Sequence, residues 1–413
     1  MRKLFCILLA LALVLTSTAA LAEGIVLSSN KVEIDGALKE YATAYEAQTG
    51  KKVTIDTVGG GADYGGTLKA ALQSGAMPDI FVIEGPSGYE LWKDYITDLS
   101  DQPWASDTDV AYQVDGKVVG FPVAIEGYGL AYNADLLAKA GIDPASLTNI
   151  NAIKDAFAKL DSQKAELGID AVVSLAASVT NGMTWVTGLH NFNVYLTGYL
   201  PYGDTSVIDQ VLAGQLDAAR FQAYAEYVKL LFDYSDQAVL LTGNYDSQVH
   251  AFATGKTVFF HQGNWTDPNL AAENVSFNIG YAPHAFLPED TQSIFVSPPS
   301  WYVVNSQGAN IDEAKAFLTA MATTEEGHKY IVEGAGMVPA FKAVKQQPTG
   351  PLSKAVMEHA ASGDIYSWQQ YKLPDGFGMN TLGPIYELLA NGTVDIAGFT
   401  ALFTDAIATI PTL

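Results

Sequence analysis

Cysteine is almost absent from this chain: Cys6 is the only one among 413 residues. It lies in a stretch laid out like a secretory signal peptide, with Arg2 and Lys3 ahead of the apolar run 7–15 and small residues at Ala20-Leu21-Ala22. That run is too short to cross a bilayer, which takes about 20 apolar residues. Residues 1–22 are therefore expected to be removed after Ala22, leaving Glu23 first and a mature chain with no thiol. Disulfides, cysteine-ligated zinc and cysteine nucleophiles are then excluded. Arginine is as scarce. Beyond the leader only Arg220 remains, so no arginine pair can grip a phosphate, sulfate or dicarboxylate through bidentate bonds. Positive charge is also short, with 22 Lys and Arg against 45 Asp and Glu and a net charge of −23. So acidic a surface repels nucleic acid and anionic lipid. Neutral or cationic ligands remain.

Catalytic signatures are missing too. The six histidines His190, His250, His261, His284, His328 and His359 include no pair at the i, i+4 spacing of a helical zinc site. There is no Gly-x-Ser-x-Gly elbow, no glycine loop followed by Lys-Ser/Thr, and no calcium loop of alternating Asp/Asn ending in glutamate. No metal or cofactor is expected. With 45 acidic residues, a glycosidase pair of carboxylates carries no signal without geometry.

What is present is a globular composition, 49% hydrophobic and 11% aromatic. Apolar residues alternate between strand and helix periods. Leu38, Tyr41 and Tyr45 share a helical face that Thr49-Gly50 ends, and Val53–Thr57 reads as a strand. A glycine loop, Gly59-Gly60-Gly61, leads to a helix carrying Leu68, Ala71 and Leu72. Pro78-Asp79 then introduces a buried strand, Ile80–Ile83. Such alternation predicts βαβ units and a largely parallel sheet. A strand pair is expected around 117–123 and 128–132, then helices with Ile150, Ile153, Phe157 and Leu160 on one face and Phe221, Tyr224, Val228 and Leu231 on another. Strands at 257–261, 276–282 and 301–304 and a mostly helical last third complete the pattern.

A sugar presents hydroxyls in its ring plane and weakly polarised C–H faces, so its site needs flat aromatic platforms beside planar polar side chains. Four segments combine these types: Asp63-Tyr64, Glu84-Gly85-Pro86, Gln262-Gly263-Asn264-Trp265 and Trp368-Gln369-Gln370-Tyr371. Trp185 and Trp301 are further candidates. Trp92, at helical spacing with Tyr95 and Ile96, is expected in the core. Trp265 follows Gly and Asn at a strand end, where side chains reach a crevice.

The chain resembles family 1 extracellular solute-binding proteins, the sugar-binding subunits related to maltose-binding protein. The resemblance rests on Tyr45-Glu46-Ala47-Gln48-Thr49-Gly50, Ala71-Leu72-Gln73-Ser74-Gly75 through Pro78-Asp79-Ile80, Gly120-Phe121-Pro122 through Gly127–Leu137, Phe252–Lys256 through Gly263-Asn264-Trp265, and Asn310–Leu318. It implies a type II periplasmic-binding-protein fold, with two α/β lobes joined by three hinge segments around a ligand cleft. Position puts the crossings near 124–128, 278–283 and 323–327, hence one lobe from 23–125 and 283–324 and the other from 126–282 and 325–413. Glu126 falls where the family keeps a hinge carboxylate facing the ligand, and Trp265 matches its stacking tryptophan. The segment 374–380, with Phe377 and Asn380 but no tryptophan, matches a further contact region. The resemblance implies a monomeric, non-enzymatic subunit of an ABC importer that captures a small oligosaccharide and delivers it to membrane permease subunits. Without a lipid-anchoring cysteine after the apolar run, a periplasmic location is expected, with an extracellular, cell-surface location in a single-membrane cell as the alternative. Three readings stand beside this one: a polyamine or other cation receptor of the same fold, a secreted glycoside hydrolase, and a surface adhesin.

Overall fold

The computed structural model describes residues 24–412, so the expected leader, with Cys6 and the cleavage point after Ala22, lies outside the described residues. The strands are β1 (Ile25–Ser29), β2 (Val53–Thr57), β3 (Ile80–Ile83), β4 (Tyr112–Val114), β5 (Lys117–Pro122) and β6 (Glu126–Asn133). They continue with β7 (Val173–Ser174), β8 (Phe259–Gly263), β9 (Ile279–Ala282), β10 (Ile294–Ser297), β11 (Trp301–Val304) and β12 (Ile365–Tyr366). Helix ends follow the sequence closely. Asp63 caps the helix Tyr64–Ser74 by accepting Gly66 N at 2.8 Å, and Gly75, in left-handed backbone at φ +70, closes it. The faces anticipated from spacing are buried, Leu38, Tyr41 and Tyr45 in the helix Asp35–Thr49 among them. Among the described residues no helix is long and apolar enough to cross a membrane.

Two six-stranded sheets form, in the orders β2-β1-β3-β11-β5-β4 and β12-β10-β6-β8-β7, with β9 also on β6. Each carries its own core. In the first, Tyr41 stacks on Tyr330 at 5.0 Å and meets Phe317 at 5.2 Å. In the second, Tyr128 stacks on Phe295 at 4.8 Å within a large cluster that includes Phe157 and Tyr224. The two-lobed α/β architecture is the expected one.

Its internal wiring differs from expectation in four ways. Pairing is parallel only for β1 with β2 and β3, β10 with β12, and β7 with β8; the rest is antiparallel. The strands β5 and β6 do not pair with each other. They stand in different sheets, and the chain crosses between lobes over 123–125. The second crossing falls at 298–300 rather than 278–283, because β9 and β10 both hydrogen-bond to β6 and bury Phe286, Ile294 and Phe295 in the second core. The third falls within 345–350 rather than 323–327. Tyr330, Ile331, Val332, Phe341 and Val344 still pack in the first core, whereas Leu352 and Val356 pack in the second. Residues 283–297 thus belong with the second lobe and 325–344 with the first. Apolar side chains set this division, and their partners lie too far along the chain for local patterns to show.

Candidate ligand-binding site

A cavity of about 710 Å³ lies between the lobes, within the usual range for small-ligand pockets of roughly 300–1,000 Å³. The first lobe lines it with the residues that follow three neighbouring parallel strands: 30–33 after β1, 58–61 after β2 and Glu84 after β3. The carboxyl ends of parallel strands are where an open α/β sheet presents groups to a ligand.

This wall is acidic, built around one cation. Lys31 Nζ lies 2.5 Å from Glu126 Oε1 and 3.8 Å from Glu33 Oε1. Burial alone would lower the Lys31 pKa, but Glu126 and Glu33 outweigh it and hold the ammonium charged well above the usual lysine range. Burial raises the Glu33 pKa against the opposing pull of Lys31. It raises Glu84 likewise, against Lys31 and the hydrogen bond that Asn30 Nδ2 donates to Glu84 Oε1 at 3.0 Å. The Asn30 Oδ1 atom is buried with no partner.

The second lobe supplies aromatic groups. Trp265, just past β8, donates its indole N–H to Gln262 Oε1 at 3.0 Å. Its ring folds back over Gly263, where a Cβ would stand 2.0 Å from a ring carbon. The centroids of His190 and Trp185 lie 5.0 and 6.3 Å from that ring. Burial, reinforced by His261 and Lys31, keeps the His190 pKa well below its usual value, so the imidazole is neutral and can both donate and accept. Tyr245, Gln370, Tyr371 and Asn380 continue the wall. Gln370 is 1% exposed, and neither end of its amide is hydrogen-bonded. The arrangement offers apolar ring surfaces on one side and a surplus of hydrogen-bond acceptors on the other.

A family model described as bacterial extracellular solute-binding protein matches residues 40–359. The chain belongs to that family. The multiple sugar-binding protein of Streptococcus mutans is 24% identical over 404 residues, covering 91% of this chain and 88% of its own length. A maltooligosaccharide ABC transporter solute-binding lipoprotein of Streptococcus pneumoniae is 25% identical over 323 residues, with 76% and 71% covered. Among solved structures, a sugar transporter from Bacillus licheniformis in complex with stachyose superposes with a TM-score of 0.76 at 19% identity, covering 94% of this chain and 100% of that one.

Of the residues expected at the site of this solute-binding protein, Asp63, Tyr64, Glu84, Glu126, Trp185, Trp265 and Asn380 line the cleft together. Two of these also have structural work. Asp63 is the helix cap already described, and the Tyr64 hydroxyl ties the first sheet together by donating to Ser28 O at 3.0 Å and accepting from Val82 N at 2.9 Å.

Asn264, Trp301 and Phe377 do not line the cleft. Asn264 is buried behind it, accepting Gly127 N at 2.8 Å and donating to Ser353 Oγ at 3.2 Å, which anchors the start of β6. Trp301 packs in a small core with Phe81 and Trp92 and donates its indole N–H to Val110 O at 2.8 Å. Phe377 is buried in the second core. Trp92, as expected, is core.

Sequence reasoning missed Asn30, Lys31, Glu33, His190 and Tyr245. The first three stand at the carboxyl end of β1, a position that the strand-end rule marks once the strand is recognised. His190 sits within the helical segment Val186–Asn191 and Tyr245 opens the helix Tyr245–Ala253, and nothing local distinguishes either from a core residue.

Proposed function

We propose that this protein captures a short, neutral oligosaccharide between its lobes and delivers it to the membrane permease subunits of an ABC importer. The observation that carries the reading is the pairing of an aromatic wall, Trp265 and Trp185, with acceptors across one cavity at Glu33 and Glu84 of the facing lobe and Glu126 beside the hinge. Sugars stack their C–H faces on the first and donate hydroxyls to the second. A ligand that bridges both walls favours the state in which they are close, which is capture by population shift. The names of the S. mutans and S. pneumoniae relatives, a multiple sugar-binding protein and a maltooligosaccharide-binding lipoprotein, support this ligand class.

Two observations favour a neutral sugar, the first over a cation and over hydrolysis, the second over an anion. The acidic cluster already holds its own buried cation, Lys31, and Glu126 is engaged with it at 2.5 Å rather than free to serve as an acid or base. Arg220, the one arginine among the described residues, is turned away from the cleft, its guanidinium donating to Tyr195 O and Gly198 O at 2.8 and 2.6 Å. We further assign the protein to the outer side of the cytoplasmic membrane, as a monomer.

A thermal-shift screen of residues 23–413 against raffinose, stachyose, maltotriose, chitotriose, monosaccharides and polyamines tests the reading. A ligand at a hundred times its Kd adds about 2.7 kcal/mol of stability. A shift with an oligosaccharide that is recovered intact supports capture. A shift with polyamines alone, or recovery of cleaved sugar, overturns it.

A further inference from the structure

At the cavity rim the two lobes approach each other closely at glycines. Gly61 of the first lobe lies against Gly182 of the second, and Gly85 of the first lies against Tyr371 of the second, where Ser87 Oγ also donates to Tyr371 O at 3.0 Å. An exposed ion pair, Lys69 Nζ to Asp375 Oδ2 at 2.8 Å, spans the same rim. We propose that Gly61, Gly85 and Gly182 are positioning residues that set how far the cleft closes. This assignment rests on the capture reading for its consequence, ligand retention, but not for its geometry.

All three adopt left-handed backbone, with φ +101, +59 and +69 in the order named, so each already favours glycine for local reasons. The contacts across the cleft are a separate constraint. A Cβ at Gly182 would stand 2.6 Å from Gly61 Cα, and a Cβ at Gly61 would stand 2.8 Å from both Gly182 Cα and its carbonyl oxygen. A Cβ at Gly85 would stand 2.6 Å from Tyr371 Cβ. These are backbone atoms or the root of a side chain, which no rotamer change moves aside. Ordinary contact needs roughly 3.5–4.0 Å, so a methyl group at any of the three holds the rims about 1 Å further apart. A hydrogen bond near 2.8 Å stretched by that amount is no longer one. A ligand bridging both walls would lose its hold on one of them, and the loss would show chiefly as faster release.

The Lys69–Asp375 pair reports closure, because a carbodiimide activates the Asp375 carboxyl and the neutral Lys69 amine displaces the activating group as a urea to form the amide, at a rate that falls as the two are held apart. The experiment compares the wild type, Gly182→Ala and Gly50→Ala, with and without raffinose or maltotriose, by mass-spectrometric quantification of the Lys69–Asp375 amide. Gly50→Ala is the control for backbone strain, since Gly50 has φ +70 and nothing within 4 Å of its Cβ position. The amide should form in the wild type and in Gly50→Ala and fall at least fivefold in Gly182→Ala, whose melting point should match that of the control. Any sugar that binds should dissociate about tenfold faster from Gly182→Ala.

Wild-type coupling in Gly182→Ala would overturn the proposal, as would absence of the amide from the wild type under both conditions. If Gly182→Ala melts well below the control, Gly85→Ala poses the same test at the independent Tyr371 contact, where unchanged coupling overturns the proposal. Coupling that behaves as expected while no sugar binds would count against capture and leave the glycine assignment standing.

Discussion

Lys31 Nζ and Glu126 Oε1 lie 2.5 Å apart, joining the segment after β1 in one lobe to the first residue of β6 in the other. Both side chains are about nine-tenths buried. Removing one partner of a buried pair leaves the other charge uncompensated, which costs about 3–5 kcal/mol. Glu126→Gln should therefore destabilise the ligand-free protein by an amount near the lower end of that range, since Glu33 remains 3.8 Å from the ammonium. It should also weaken sugar binding. Denaturant unfolding and titration calorimetry measure the two effects, and a variant with wild-type stability would refute the pairing as described.

Trp265 should separate binding from folding. Its ring is half-buried at the cleft, where it packs against the edge of the second core, and its indole N–H is held by Gln262, so truncation removes a platform at a moderate cost in stability. Trp265→Ala is expected to cost at least tenfold in affinity, about 1.4 kcal/mol, with Trp265→Phe recovering part of it. Stability should fall by about 1–3 kcal/mol as the buried Gln262 oxygen loses its donor. A loss of about 3–5 kcal/mol, the cost of truncating a core tryptophan, with affinity unchanged would instead make Trp265 a packing residue.

The contrast between Trp265 and Trp301 shows how far the sequence reaches. Both are tryptophans in strand context, yet one ends a strand at the cleft and the other pairs with β3 and β5 in mid-sheet. The rule that cleft residues follow strand ends separates them, and applied to β1 it would also have found Lys31 and Glu33. The strands at 53–57 and 80–83 and most helix faces follow from local periodicity, and the two lobes from the family resemblance. The lobe boundaries do not, because whether 283–297 joins one sheet or the other depends on β6 as partner, some 150 residues earlier. His190 was illegible for the same reason, since a neutral imidazole against Trp265 is defined only by segments distant in sequence.

Asn264 and Trp301 should behave oppositely to Trp265. Asn264→Ala leaves the Gly127 N–H without a partner inside the protein, an expected cost of about 1–3 kcal/mol. Trp301→Ala opens a core site at about 3–5 kcal/mol. Provided each variant is assayed where it is folded, its sugar affinity should stay within about threefold of the wild type, roughly 0.6 kcal/mol. Calorimetry on either protein that showed a hundredfold loss would return that residue to the site.

Gln370 presents the reverse trade. Its amide is buried with neither end paired, which costs a folded protein about 1–3 kcal/mol per unsatisfied group. Gln370→Met keeps the shape and removes the polar atoms. The ligand-free protein should gain about 1 kcal/mol, and affinity should fall about tenfold as the ligand loses a donor and an acceptor. A variant that gains stability and still binds normally would show that the amide does not meet the ligand.

Stability should fall below about pH 6.5, and buried histidines are the reason. His261 Nδ1 lies 2.9 Å from His284 Nε2, and His284 Nδ1 lies 2.8 Å from the Tyr227 hydroxyl, a chain sealed in the second core. Burial pushes the His261 pKa down to about 4; it pushes His284 and His190 well below the usual value, with His261 reinforcing it at both. Below pH 6.5 the unfolded chain takes up protons that the native one refuses, so the native state loses stability as pH falls. The slope is about 1.4 kcal/mol per pH unit for each histidine. For His261 it ends near pH 4, where the folded form protonates too.

Glu33 and Glu84 act the other way. Their folded pKa values lie above 4.5, so the native chain takes up their protons first and gains stability as pH falls through those values. Asp267, raised by burial, adds a third such carboxylate, and His359, lowered by burial, a fourth histidine. Three carboxylates set against four histidines leave a net loss between pH 6.5 and 5. Denaturant unfolding at pH 7.5, 6 and 5 should show it, and His261→Gln should reduce the slope by about one proton, roughly 1.4 kcal/mol per pH unit. A flat profile from pH 7.5 to 5 would mean that these histidines are not held neutral as their burial requires.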